Sequence, residues 1–295
     1  MNRTRREFVA GAGTVVFGSS LIGGTAAADA NATVPRVSTF GHFDDDARLT
    51  GGNTTTNYDT SGDVPGIDAP PVGDLTVFVH GWRATQDDEE ARADNDAKFA
   101  QADHELVQSG YDGTVIGYEW DAHRGDSPDF GWADANRIAE RNGPKLARFV
   151  REYHASRPSS SIRIASHSLG TLVLVRCLEE LDGSGDWARG EPGIATIHPF
   201  GAAVDHDRPT SAYSATKRAV ETQVASAHNY HSRKDSVLAA AYEPREVARA
   251  LGRHGADPDR EPATNYADHD VTDAVGADHS GYLENVSDLI VSHMA

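Results

Sequence analysis

The chain has one cysteine, and its four lysines (Lys98, Lys145, Lys217, Lys234) stand against 23 arginines. A single thiol excludes an intramolecular disulfide as a source of stability. Cys177 sits among Leu172, Val173, Leu174, Val175 and Leu178, which points to a small buried apolar residue, not a reactive thiol. Basic charge is scarce: 27 Lys and Arg face 45 Asp and Glu, for a formal net charge of −18. So negative a surface repels nucleic acid and anionic membrane, and argues against either as the main partner. No apolar run is long enough to stay in a bilayer. HExxH and CxxC are both absent, and no glycine-rich phosphate or dinucleotide loop follows a strand. No metal site and no cofactor is therefore implied. No internal repeat is visible.

What the sequence does have begins with its charge. Abundant carboxylates, few lysines and a hydrophobic content of only 38% suit a protein that works at high salt. There the Debye length falls to about 3 Å and self-repulsion is screened. An ordinary acidic protein is the plainer alternative.

The N-terminus carries Thr4-Arg5-Arg6-Glu7-Phe8-Val9, then a moderately apolar stretch to Ile22, then small residues. It resembles a twin-arginine export signal, with cleavage after Ala28 or Ala30. The resemblance implies a signal peptide over 1–28, a secreted product, and the twin-arginine export machinery as a partner. A first amphipathic helix of the fold is the alternative. Residues 29–73 are rich in Gly, Asn, Asp, Thr and Pro and read as an irregular N-terminal segment.

From residue 74 to 295, strands and helices alternate. Leu75–Val79, Thr114–Tyr118, Ser161–Ala165, Ile194–His198 and Val224–Tyr230 are short apolar runs of the kind buried in parallel sheets. Between them, Trp132–Tyr153 repeats apolar residues at spacings of three and four, and Leu169–Leu181 is apolar nearly all round. "VLAAAY", "EVARALGR" and Ser287–His293 also read as helix. This alternation predicts an α/β fold, a mostly parallel sheet with helices on both faces. In such sheets the loops at the carboxyl ends of strands carry the chemistry.

Those ends are distinctive. His80-Gly81-Trp82 follows the first strand. Ser166-His167-Ser168-Leu169-Gly170 follows "SIRIA". Asp235 lies in "HSRKDSVL", and His279 in "DVTDAVGADHSGYL". "FVHGW", "ASHSLG" and "DHSGY", in the order Ser, Asp, His, resemble the α/β-hydrolase family and its lipase/esterase branch. The elbow departs from that family's usual G-x-S-x-G, because Ser166 stands at the first glycine.

The resemblance implies a secreted serine hydrolase of carboxylic esters with a small lid or none, and Gly201–Gln223 is the natural place for one. Its substrate would be a small-molecule or lipid ester. A serine hydroxyl is a weak nucleophile unless a base adjoins it. Ser168 would attack, His279 would take the proton, and Asp235 would hold the imidazole tautomer. The N–H groups of Trp82 and Leu169 would form the oxyanion hole. His80 and Gly81 would support the oxyanion loop, and Ser166, His167 and Gly170 would shape the elbow. Asp205 competes with Asp235 for the acid, and His269 with His279 for the base. Asp268, Asp270, Asp273 and Asp278 could bind Ca²⁺ or form a solvated acidic face. Other enzymes of this fold (thioesterase, amidase, peptidase) and a catalytically weak exported binding protein are the alternatives.

Overall fold

A computed structural model describes residues 33–125, 131–184, 187 and 192–294. The expected signal peptide lies outside the described residues. In chain order the strands are β1 (Arg36–Ser38), β2 (Asp59–Ser61), β3 (Asp74–Val79), β4 (Thr114–Glu119), β5 (Ser161–His167), β6 (Ile194–Phe200), β7 (Val224–His231) and β8 (Tyr266–Asp270). The helices are α1 (Asp88–Gln108), α2 (Trp132–Ser156), α3 (Gly170–Gly183), α4 (Ser214–Gln223), α5 (Glu243–Glu246), α6 (Leu251–His254), α7 (Thr272–Val275) and α8 (Tyr282–Ser292).

All eight strands form one sheet in the order β2-β1-β4-β3-β5-β6-β7-β8. Every neighbouring pair is parallel except β1 with β2. Successive side chains of a strand face opposite ways, so β3 feeds two apolar layers. Leu75, Val77 and Val79 join α2 and α3 on one face. Phe78 joins Phe99 of α1 and Ile290 of α8 on the other. Cys177 is buried in the first layer, and burial pushes its thiol pKa up. Asp87 caps α1 by accepting the Glu90 N–H at 2.8 Å. The strand order reverses at β3, with β4 on one side and β5 on the other. The crevice at the carboxyl ends of β3 and β5 is thus the switch point of the sheet. Among the described residues no helix is long and apolar enough to cross a membrane.

Three readings of the sequence are corrected. The sheet draws on residues before 74. The segment read as irregular supplies β1 and β2, and Val37 and Phe43 enter the core. Strands of three residues at a sheet edge show no usable periodicity. They are held by a tertiary contact instead: Lys145 of α2, fully buried, donates to the carbonyls of Thr54 and Asn57 at 2.7 Å each. Second, "EVARALGR" is not one helix. Val247 takes a left-handed conformation and Ala250 an extended one. The chain turns there because Leu251 and Gly252 donate to Val204 and Ala202 at 2.8 and 2.9 Å. Third, Gly201–Gln223 holds no free-standing lid. Its helix α4 packs Ala219 and Val220 into the core, and Thr216 and Arg218 bond Glu179 and Asp182 of α3.

Candidate active site

Strand β5 ends at His167 and α3 begins at Gly170, so the chain must reverse within two residues. Ser168 takes the strain, with φ of 53°, a left-handed conformation that non-glycine residues rarely adopt. Three backbone bonds impose it. Ser168 donates its N–H to Phe200 O at 3.2 Å, and its carbonyl accepts from Thr171 and Ala203 at 3.1 Å each. Two glycines let the backbones close in. A β-carbon on Gly170 would stand 2.5 Å from the His80 carbonyl oxygen, and one on Gly81 would stand 2.8 Å from Ser168 Cβ. Ser166 replaces the usual glycine without conflict: it is fully buried, and its hydroxyl lies 3.1 Å from that of Thr171.

The structure brings Ser168, His279 and Asp235 together. His279 Nε2 is 2.9 Å from Ser168 Oγ, and His279 Nδ1 is 2.7 Å from Asp235 Oδ2. A carboxylate only accepts, so Nδ1 carries the proton and Nε2 is free to accept from the hydroxyl. Asp235 is almost wholly buried, yet its charge is well served. Oδ1 accepts the Leu238 N–H at 2.9 Å, and the Tyr282 hydroxyl lies 3.2 Å from Oδ2. Burial pushes the Tyr282 phenol pKa up and keeps it a donor.

His80 holds the loop beside the elbow. Its Nδ1–H donates to Gly81 O at 2.9 Å, and its Nε2 accepts the Trp120 N–H at 3.2 Å. Both bonds require the same neutral tautomer, and burial lowers its pKa to about 3. In a trans peptide the carbonyl and the next N–H point opposite ways. Fixing the Gly81 carbonyl against His80 therefore turns the Trp82 N–H away from that ring. The N–H groups of Trp82 and Leu169 have no acceptor among the described residues. The Trp82 indole donates to Arg124 O at 3.1 Å and meets Trp132 edge-on at 5.4 Å.

His167 does more than shape the elbow. Its Nε2 donates to the His279 carbonyl at 2.8 Å, which ties the His279 loop to β5. Burial first, then the neighbouring His279, holds its pKa well below the ordinary imidazole range. The two buried imidazoles make folding acid-sensitive. The unfolded chain binds a proton at each near pH 6.5, whereas the folded chain does not until far lower, so stability falls as pH drops below about 6.5. Each contributes a loss of about 1.4 kcal/mol per pH unit, or about 3 kcal/mol together at pH 5.5. Guanidinium midpoints at pH 7.5 and 5.5, in molar salt that screens the acidic surface, check this. An unchanged midpoint contradicts it.

The rival residues lie elsewhere. Asp205 accepts from the Tyr213 hydroxyl at 3.2 Å and the Asp207 N–H at 3.0 Å. His269 sits within β8, facing His228 at 3.1 Å. Three of the four acids weighed for Ca²⁺ have other partners. Asp268 takes Asn229 and the Ala256 N–H, Asp270 pairs with Arg233, and Asp278 caps Ser280. Asp273 lies beside Arg233 and Lys234. Metal-ligating atoms instead converge in two other groups among the described residues, His228/His269/His293 and Asp205/His206/Asp207.

A cavity of about 580 Å³ reaches Leu172 and Ala203 near the elbow and is lined also by Trp132, Asp205, Tyr242 and Glu246, but by none of the three residues of the Ser168–His279–Asp235 line. Ala203, which bonds the Ser168 carbonyl, forms part of its wall. Sequence reasoning missed Tyr282, Trp120 and Trp132. Tyr282 stood inside the noticed "DHSGY", but nothing local tells that its hydroxyl reaches Asp235. The arrangement as a whole can deprotonate a serine hydroxyl and offers two unbonded backbone donors near it.

Among curated proteins, none matches the chain. Solved structures similar to it include the catalytic core domain of acetyl xylan esterase from Trichoderma reesei, at 12% identity, covering 75% of this chain and 96% of that one, with a TM-score of 0.37. Trichoderma reesei cutinase in complex with a C11Y4 phosphonate inhibitor is similar at 12% identity, covering 75% and 74%, with a TM-score of 0.32. Residues 67–281 match the family described as "Alpha/beta hydrolase of unknown function (DUF900)". That span takes in the elbow, the acid loop and His279, and the chain belongs to this family of α/β hydrolases.

Proposed function

We propose that the protein is an exported serine hydrolase that cleaves carboxylic esters. One observation carries the reading: the hydrogen-bonded line from Ser168 through His279 to Asp235, with the serine on a strained elbow. Ser168 Oγ attacks the ester carbonyl carbon while its proton passes to His279 Nε2. The tetrahedral oxyanion rests on the N–H groups of Leu169 and Trp82. His279 returns the proton to the leaving alkoxide, and an acyl-enzyme remains. Water, deprotonated by His279, then releases the acid and restores the serine. Asp235 stabilises the imidazolium in both halves.

The cavity near the elbow supports a polar ester over a long-chain one. Its wall mixes the aromatic rings of Trp132 and Tyr242 with Asp205, Arg208 and Glu246, and a fatty chain would strand those charges. Export rests on the paired Arg5-Arg6 and the short apolar run after them. Adaptation to salt rests on the charge of −18.

The test is turnover of p-nitrophenyl butyrate and labelling by a fluorophosphonate, both in molar salt, with amide and thioester analogues alongside. Ester turnover with labelling is expected, and both should decline when salt is removed. Faster thioester or amide turnover would reassign the substrate class. A folded protein that neither labels nor turns over any of them would favour a binding protein.

A further inference from the structure

Three histidines converge outside the Ser168–His279–Asp235 line. His228 comes from β7, His269 from β8, and His293 caps α8. Tyr230 pairs with His269 across β7 and β8, and His228 lies two residues before Tyr230, so all three side chains share one sheet face. Helix α8 starts at Tyr282 beside Asp235 and runs eleven residues.

We infer that His228, His269 and His293 form a binding site for a borderline divalent metal ion of the zinc class. One ring nitrogen from each lies within 4.8 Å of the others. His228 Nδ1 and His269 Nε2 face each other at 3.1 Å, the separation of two nitrogens on one cation at about 2.0–2.1 Å each. The His293 ring stacks beside them, with centroids 4.5 Å from His228 and 4.3 Å from His269. It is half-buried at the end of α8.

The outer nitrogens are already engaged, as those of metal-bound imidazoles generally are. His228 Nε2 lies 2.7 Å from Ser226 Oγ, so donation there leaves Nδ1 bare. His293 Nδ1 lies 2.9 Å from the Tyr230 hydroxyl, which leaves Nε2 for the ion. Tyr230 is backed in turn by His198 at 3.2 Å, and His198 by Thr196 at 2.7 Å. Three imidazoles without a carboxylate select zinc, copper(II) or nickel over calcium or magnesium. The only thiol is buried and does not compete. The ion would join β7, β8 and the end of α8. The last two flank the His279 loop, so binding would brace it.

The experiment is calorimetric titration of zinc chloride into the metal-stripped full chain in molar sodium chloride. Thermal melts and cobalt(II) absorption spectra accompany it. One equivalent is expected, with a Tm that rises with zinc. His293→Ala and His228→Ala should each weaken binding at least about 100-fold, the upper end of the loss from an outer-shell change. The cobalt band of the wild type should vanish in His293→Ala, a change at a half-exposed helix end that spares the core. Ser168→Ala should bind zinc normally. No saturable binding, or binding unchanged in both histidine variants, would overturn the site. So would loss confined to His206→Ala, which assigns the ion to Asp205, His206 and Asp207.

Discussion

Replacing Ser168 by Ala is expected to lower kcat for p-nitrophenyl butyrate by about 10⁶-fold and to abolish fluorophosphonate labelling, with the fold retained. The magnitude follows from how such a site works. Removing the nucleophile alone costs about as much as removing the whole triad, because the three groups act as one unit. What remains, about 10³–10⁴ over water, comes from the oxyanion donors and from binding. Alanine suits the test because it keeps a β-carbon at φ of 53°, so the backbone strain is unchanged. It also keeps the three backbone bonds through Phe200, Thr171 and Ala203. A variant that melts like the wild type but has lost turnover isolates the hydroxyl. Turnover that survives in Ser168→Ala would place the nucleophile elsewhere.

Asp235→Asn is expected to lower kcat about 10⁴-fold, and Asp205→Asn to leave kcat nearly unchanged. The amide is close in shape and keeps an oxygen to accept the Leu238 N–H, which lies 2.9 Å from Oδ1. Its NH₂ would face His279 Nδ1 in place of the oxygen now 2.7 Å away. Nδ1 then becomes the acceptor and Nε2 carries the proton, so His279 can no longer take one from Ser168. Asp205 bonds Tyr213 and Asp207 on the cavity wall, so its change acts on substrate binding and appears in KM. Steady-state kinetics of the two variants decide between the acids. A large kcat loss in Asp205→Asn with none in Asp235→Asn would reverse the assignment.

Much of this was legible in the sequence. Strands β3 to β7 announced themselves as short apolar runs, because a parallel strand buried on both faces has no polar side to show. The elbow was legible because a strand, a sharp small-residue turn and an apolar helix follow one another directly. The departure at Ser166 was legible as a departure, but its acceptance was not. That depends on the Thr171 hydroxyl 3.1 Å away. Edge strands β1 and β2 were invisible. Three residues carry no periodicity, and what holds them includes Lys145, distant in the chain.

The sequence by itself determined the chain order Ser168, Asp235, His279, the strand ends on which they stand, and the acidic charge of the whole. These are local or additive properties, readable residue by residue. Only the tertiary structure shows that Asp235, and not Asp205, lies against His279, and that His279, and not His269, lies against Ser168. In each pair both residues follow or join a strand, and sequence distance says nothing about which reaches the serine. It also decided what Tyr282, His167 and His80 do. Their roles are hydrogen bonds to atoms fixed by other segments: a carboxylate, a carbonyl and a peptide plane. The meeting of His228, His269 and His293 is of the same kind. Three separate elements deliver them, and no local pattern encodes a contact that exists only once the sheet and α8 have packed.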